Sequence, residues 1–417
     1  METTMQAQQD RAEDLGPRPA PAVTKHYDFV IVGGGTAGIT VAARLARAFG
    51  KPEVAVIEPS STHYYQPLWT LVGAGVFDKS VTARPEADYI PPGATWVKDA
   101  VLSFDPPNNR VTTRNGDVFS YNYLVVAAGI QIDWDHVKGL KESLGHGGVC
   151  SNYDFEYVDS TWDALQNFTG GNAIFTAPAT PIKCGGAPQK IMYLAESFLR
   201  KKSLRGQSNI LFMSAGTTIF GVDKYRPVLQ NIVETRDIET HFYHNLVEVR
   251  SDTKEAVFER ADTGETAVVP YGMLHVSPPM SAPDFMKQSA LANETGWVEV
   301  DKHTLQHKRF PNVFGLGDAA GTPNGKTGAA VRKQAPIVVA NLKALTEGRL
   351  PDASYNGYTS CPIVTDYGKL VLAEFDYDNN PQETFPFNQA KERRSMYLMK
   401  KYLLPFMYWH GMLKGLA

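Results

Sequence analysis

Two cysteines stand where a thiol can react. Cys184 lies in Thr180-Pro-Ile-Lys-Cys-Gly-Gly-Ala-Pro-Gln189, after a strand pattern and ahead of a helix pattern. The flanking glycines leave its sulfur open to approach. The helix N-terminus and Lys183 would draw its pKa toward the thiolate. Cys361, in Tyr358-Thr-Ser-Cys-Pro362, also reads as a turn residue. A structural cysteine sits more often mid-strand or mid-helix as a small buried hydrophobe, and each residue taken alone also fits that reading. The third cysteine, Cys150, is distant from both, and no CxxC pair exists. The set is therefore neither a zinc site nor a disulfide scaffold. It suits a reducing compartment, or a redox pair that folding brings together.

The second chemical feature is Tyr27-Asp-Phe-Val-Ile-Val-Gly-Gly-Gly-Thr-Ala-Gly38. A short buried strand, Phe29 to Val32, runs into Gly33-x-Gly35-x-x-Gly38. Gly33 permits the tight turn, Gly35 admits a pyrophosphate, and Gly38 allows the next helix, Ile39 to Phe49, to pack closely. That helix turns its free N–H groups and positive dipole end toward the phosphates. A second strand, Val54 to Ile57, ends at Glu58, about twenty residues on, where a carboxylate can accept from ribose hydroxyls. A bare glycine turn is the competing reading. Strand, motif, helix, strand and acid in one unit point instead to a dinucleotide site.

The rest of the chain must position these groups. Pro59 to Trp69 is an aromatic loop leaving the carboxyl end of a strand, and is expected over the cofactor rather than as a packed loop. Thr95–Phe104 and Arg110–Ser120 read as strands, with Asn115-Gly116 as a hairpin turn and Val101 placed to meet an adenine through its backbone. Tyr121–Gly129 is a further buried strand with a glycine turn. Residues 172–295 resemble a second α/β unit, with strands at 172–176 and 209–213 and a helix from Gln189 to Arg200. After its second strand, Ser214 and Thr217 replace the glycines that a nicotinamide dinucleotide requires, so this unit is expected to bind no NAD(P). Asn312–Ala320 is another short strand, ending in Gly317-Asp318, with a helix starting near Thr327. Asp318 can accept from a ribityl hydroxyl, and the helix aims its positive end at a flavin's pyrimidine edge. Lys326 either adds to that charge or is a solvated loop cation.

The last stretch is different in kind. Between Phe385 and Ala417, Lys391, Arg393, Arg394, Lys400, Lys401 and Lys414 face a single acid, Glu392, and alternate with Met, Tyr, Leu, Phe and Trp. Pro405 is expected to split the stretch into two short helices. A basic, aromatic, amphipathic tail suits a membrane surface; a helix docked on the body or a dimer contact is the plainer reading. A net charge of −3 gives no case for nucleic acid. Residues 1–26 are polar and acidic, without an apolar signal core, and are read as a disordered lead-in.

From residue 27 onward the chain resembles the sulfide:quinone oxidoreductases, within the two-dinucleotide-domain flavoproteins. The resemblance rests on Gly33-Gly-Gly-Thr-Ala-Gly38, Glu58-Pro-Ser60, Tyr65-Gln-Pro-Leu-Trp-Thr-Leu-Val-Gly-Ala-Gly75 and Pro181-Ile-Lys-Cys-Gly-Gly-Ala-Pro-Gln-Lys-Ile-Met-Tyr-Leu194. It also rests on Gly315-Leu-Gly-Asp318, Gly357-Tyr-Thr-Ser-Cys-Pro362 and Ala373-Glu-Phe-Asp-Tyr377. It implies an α/β fold of two Rossmann-like dinucleotide-binding domains with a C-terminal amphipathic membrane-anchoring helical segment. The expected division is a lead-in at 1–26, an FAD-binding domain at 27–150 and 300–345, a second Rossmann-like domain at 151–299, and a redox-cysteine and quinone-binding region at 346–417.

The resemblance further implies that Cys184 and Cys361 are the catalytic redox pair beside FAD. The cofactor contacts are expected from Gly33, Gly35, Thr36, Ala37, Gly38, Glu58, Gln66, Val101, Gly129, Asp318, Lys326 and Thr327, with no metal. Cys150 is either an accessory relay or a bystander. Hydrosulfide would open the Cys184–Cys361 disulfide, or a bridge with an extra sulfur, leaving a persulfide on Cys184 while Cys361 passes electrons to the flavin. Ubiquinone is the expected electron acceptor, and glutathione, sulfite, cyanide or another sulfide the sulfur acceptor. The expected address is the cytoplasmic face of a bacterial inner membrane, with the mitochondrial inner membrane as alternative; nothing excludes a homo-oligomer. The competing activities are a type II NADH:quinone dehydrogenase, which needs the second glycine turn missing at Ser214–Gly221, a soluble flavocytochrome-type sulfide dehydrogenase, and a non-enzymatic flavin-bearing interaction protein.

Overall fold

The computed structural model describes residues 25–417. The expected lead-in therefore lies outside the described residues except for its last two, which already belong to a strand. That strand, Lys25–Val32, is the centre of the first sheet. Its run Phe29 to Val32 is buried on both faces, as parallel strands covered by helices require. It pairs in parallel with Val54–Ile57 on one side and with Val118–Val126 on the other. Thr95–Val97 extends the sheet beyond Val54–Ile57. Arg110–Thr113 and Val101–Asp105 add an antiparallel flap. Val313–Gly315 returns much later in the chain to pair with Val118–Val126, so the Gly317-Asp318 turn comes back to the first sheet.

The second sheet is wholly parallel: Val149–Cys150, Met273–His275, Gly171–Ala177, Ser208–Ser214 and Ile238–His241, in that order. The helix Ala187–Lys201 packs beside it and against Thr359–Asp366. After Ser208–Ser214 no helix begins until Arg226. A strand pair, Thr359–Asp366 with Lys369–Phe375, carries Cys361 opposite Ala373.

Three expectations about elements need correction. The segments 110–120 and 121–129 are not separate strands: a turn at Asn115-Gly116 separates Arg110–Thr113 from one long strand, Val118–Val126. Thr95–Phe104 is two strands: Thr95–Val97 pairs with Val54–Ile57, residues 98–100 pair with no strand, and Val101–Asp105 pairs with Arg110–Thr113 at the opposite edge of the sheet. Pro405 does not split the tail. Arg394–Leu398, Met399–Leu403 and Leu404–His410 form one helical run whose middle turn is a π-helix. There Leu404 N–H donates to Met399 O, five residues back. The widened turn accommodates a proline that an α-helix interior rejects.

Candidate active site

The glycine turn is fixed by contact. Gly33 has φ +99° and sits against the Ala127 carbonyl; a Cβ on Gly38 would overlap the Gly33 carbonyl oxygen. Gly35 faces open space. The N–H groups of the first turn of Thr36–Phe49 have no partner within that helix. Glu58 is held by two backbone donors, Gly34 N–H at 2.7 Å and Ser60 N–H at 2.7 Å. Burial nonetheless pushes its carboxyl pKa up. Each of its oxygens keeps a further lone pair for a ribose hydroxyl.

Gly317 places Asp318 beside this turn, since a Cβ on Gly317 would lie 3.0 Å from that of Ala37. The Asp318 carboxylate accepts no hydrogen bond from the described residues. Burial raises its pKa, against the pull of Lys326 and Lys183. Lys326 is not a solvated cation. Its ammonium donates to the carbonyls of Asp318 at 2.6 Å and Ala320 at 3.2 Å, lies 3.7 Å over the Trp297 ring, and is lowered to about 8 by burial. Thr327 caps the helix Gly328–Thr346 by accepting from Ala330 N–H at 3.1 Å. Val101 is buried at the start of its strand, and Gly129 turns the chain with φ +75° just past Val118–Val126. An open glycine cradle, an acid with free lone pairs and a helix N-terminus fit FAD.

Folding brings the two distant cysteines together beside this cradle. Cys184 takes a left-handed conformation, φ +57°, and its N–H donates to Lys326 O at 2.9 Å. Thr327 Oγ1 lies 2.9 Å from Thr359 Oγ1, two residues before Cys361. The two free thiols face each other closely enough that each shifts the other's pKa. Gly186 makes room for the contact, because a Cβ there would overlap Cys361 Sγ. Cys361 is not at a turn. It sits within Thr359–Asp366, buried, with the strand pair holding its sulfur in place.

The pair shares one proton. The Cys361 thiol donates to Cys184, and Lys190 Nζ donates to Cys184 Sγ at 3.0 Å. These hold Cys184 well below the ordinary thiol range, while the facing Cys184 sulfur and burial push Cys361 well above it. Lys183 does not play the part expected of it. Its ammonium lies 5.2 Å over the Trp69 ring and burial lowers it to about 8. The cations that face the sulfurs are Lys190, on Ala187–Lys201, and Lys400, on the tail. Lys400 is 3% exposed, donates to Pro67 O at 2.9 Å, and is lowered to about 7 by burial and by the charge of Lys190. Sequence reasoning counted Lys400 among the basic charges of an amphipathic, membrane-surface tail and passed over Lys190. A signal existed for Lys400: it stands four residues after Met396, on the tail's buried face.

Cys150 is fully buried, donates to Leu274 O at 3.6 Å, and burial pushes it up to about 12. That thiol stays protonated at neutral pH. The aromatic loop divides its work. Tyr65 packs 4.4 Å from Tyr408 of the tail. Tyr64, Gln66 and Trp69 line a cavity of 530 Å³ with Lys183, Tyr153 and Asp154. Tyr153 packs in one cluster with Cys184, so the cavity's inner wall adjoins the pair. The tail is docked and amphipathic at once: Tyr408, Trp409 and Leu413 are buried, while Phe406 is 63% and Tyr402 59% exposed. No helix among the described residues is long and apolar enough to cross a membrane.

Residues 27–157 match the family model for pyridine nucleotide-disulphide oxidoreductases. The chain is 51% identical to the mitochondrial sulfide:quinone oxidoreductase of Mus musculus over 94% of its own length and 87% of that protein. It is 49% identical to the mitochondrial sulfide:quinone oxidoreductase of Dictyostelium discoideum, over 93% of this chain and 86% of that one. Its fold superposes on the crystal structure of the Aquifex aeolicus sulfide:quinone oxidoreductase with a TM-score of 0.80, covering 94% of this chain and 91% of that chain at 20% identity.

Proposed function

The chain belongs to the sulfide:quinone oxidoreductase family, and from that premise we propose that Cys184 and Cys361 are the sulfur pair through which it oxidises sulfide. The enzyme is FAD-dependent: FAD, which the Gly33–Gly38 turn, Glu58 and Asp318 would hold, would supply the two-electron acceptor chemistry that links sulfide to quinone. The observation that carries the assignment of the pair is the contact between two thiols from distant segments, with Lys190 3.0 Å from one sulfur.

In the oxidised pair the two sulfurs are joined. Hydrosulfide forms a bond to one sulfur and breaks the bond to the other, which leaves as thiolate; its proton stays on the new persulfide. The thiol of lower pKa is the better leaving group. Lys190 favours thiolate at Cys184, so attack falls on Cys361 and Cys184 departs. This reverses the roles read from sequence. The new persulfide stands on Cys361, and Cys184, whose loop bonds to Lys326, faces the cofactor turn. A nucleophilic acceptor such as glutathione, sulfite, cyanide or sulfide then takes the outer sulfur through the cavity lined by Tyr153 and Lys183. Reoxidation of the remaining thiol and thiolate to the joined pair releases two electrons and the one proton that hydrosulfide brought in.

Ser214 and Thr217, with no helix start directly after their strand, support a second unit that takes no nicotinamide cofactor. The exposed apolar tail side chains support peripheral membrane attachment and quinone entry from the membrane. The mitochondrial naming of the relatives favours the mitochondrial inner membrane over the bacterial one. Anaerobic titration of the purified holoenzyme with sulfide, and separately with NADH, tests the reading. Sulfide bleaches the flavin and NADH does not; bleaching by NADH alone refutes it.

A further inference from the structure

The tail reaches the cofactor turn by a buried hydrogen-bond chain that the sulfur chemistry does not use. Glu86 Oε2 lies 2.9 Å from His63 Nδ1. His63 Nε2 lies 2.6 Å from the hydroxyl of Tyr408. That hydroxyl lies 2.7 Å from Thr36 Oγ1. His63, Glu86 and Tyr408 are all under 5% exposed. Thr36 is the first residue of the helix whose N-terminus faces the pyrophosphate. The far end of the same helix also grips the tail: Arg44 donates to Ala417 O at 2.6 Å and Arg47 to Lys414 O at 2.8 Å. Around the chain, Tyr65 packs on Tyr408, and Tyr89 lies 5.0 Å from Trp409. Glu86 Oε1 is buried without a partner and would lie 2.8 Å from a Cβ on Gly34.

We infer that tail docking and FAD retention are one coupled equilibrium, transmitted by Glu86–His63–Tyr408–Thr36. Both events require Thr36 and the Gly33–Gly38 turn in a single conformation. Whichever occurs first has already met the ordering cost of the other. The coupling is reciprocal: a docked tail holds FAD, and bound FAD holds the tail. Tyr408 and His63 are positioning residues, acting on the cofactor through Thr36. Their position makes the membrane-facing segment report on cofactor occupancy.

This rests on the FAD site proposed above, and the test separates the two. If the isolated protein carries no FAD, the cofactor site itself fails. With FAD present, Y408F removes one hydroxyl and keeps the ring stacked on Tyr65. FAD release on dilution of the holoenzyme, read by recovery of flavin fluorescence, should then be about tenfold faster, the ratio expected for one buried hydrogen bond left unmade. In the wild-type protein, removing FAD should speed tryptic cleavage at Arg394 and Lys401, and restoring FAD should slow it again. Wild-type cleavage indifferent to FAD overturns the inference without recourse to any variant. Unchanged FAD release from Y408F, with a lowered melting temperature of the FAD-free protein, also overturns it, by making Tyr408 a packing residue only.

Discussion

Replacing Lys190 by methionine tests the charge arrangement at the sulfur pair. The variant keeps a long unbranched side chain but removes the ammonium that donates to Cys184 Sγ at 3.0 Å. A hydrogen bond between charged partners is worth about 1.5–3 kcal/mol, and one pKa unit corresponds to about 1.4 kcal/mol. The Cys184 midpoint should therefore rise by about one to two units. It does not return to the free-thiol value, because the Cys361 thiol, the largest contributor, and Lys400 still act on it. The sign follows from the depressed native pKa: Lys190 favours the thiolate of Cys184, so removing it shifts that form to higher pH. The assay is the rate of alkylation of reduced holoenzyme by iodoacetamide across pH, with the Cys184 adduct identified by mass spectrometry. K190M should react more slowly at neutral pH and regain the rate at alkaline pH. A reactivity midpoint equal to the wild type would refute the assignment of Lys190 as the thiolate's partner.

Other expectations follow from the same geometry. K400M should raise the Cys184 midpoint by less than K190M, since Lys400 contributes only through its charge; an equal or larger shift in the same alkylation assay contradicts this. C361S should retain FAD and lose sulfide-driven flavin bleaching, and normal turnover in that variant ends the sulfur-pair proposal. G186A has an ordinary φ of −91° to accept alanine, but its new methyl would overlap Cys361 Sγ. It should therefore keep FAD while sulfide-dependent quinone reduction falls at least about tenfold, and wild-type turnover would show that the contact is not needed. The exposed pair Leu403 and Phe406, each worth about 1.5–3 kcal/mol when its side chain is buried, should set membrane affinity. L403D/F406D should cut vesicle binding by about 100-fold or more in a sedimentation assay, with the melting temperature preserved.

The local features were legible from residue order. A β-branched run, three spaced glycines and a following acid place Gly33, Gly38 and Glu58 because each acts within one turn or on the adjacent strand. The helix start near Thr327 and the absence of glycines at Ser214 and Thr217 are readable for the same reason. What the chain's order left open was every relation between distant segments. The Cys184–Cys361 contact came from family resemblance rather than from spacing, and Cys361 was misplaced at a turn because Pro362 reads as a strand breaker. Here it lies in a two-stranded pair that tolerates it. Lys190 and Lys400 look like ordinary helix charges, since periodicity identifies a buried face without saying what that face meets. The contact of Tyr408 with Thr36, between the tail and the first helix, has no local signature at all. Sequence by itself determined the dinucleotide turn, the two α/β units and an amphipathic tail. Only the tertiary structure decided which cations face the sulfurs and which tail hydroxyl reaches the cofactor loop, because those bonds form only once distant elements have packed.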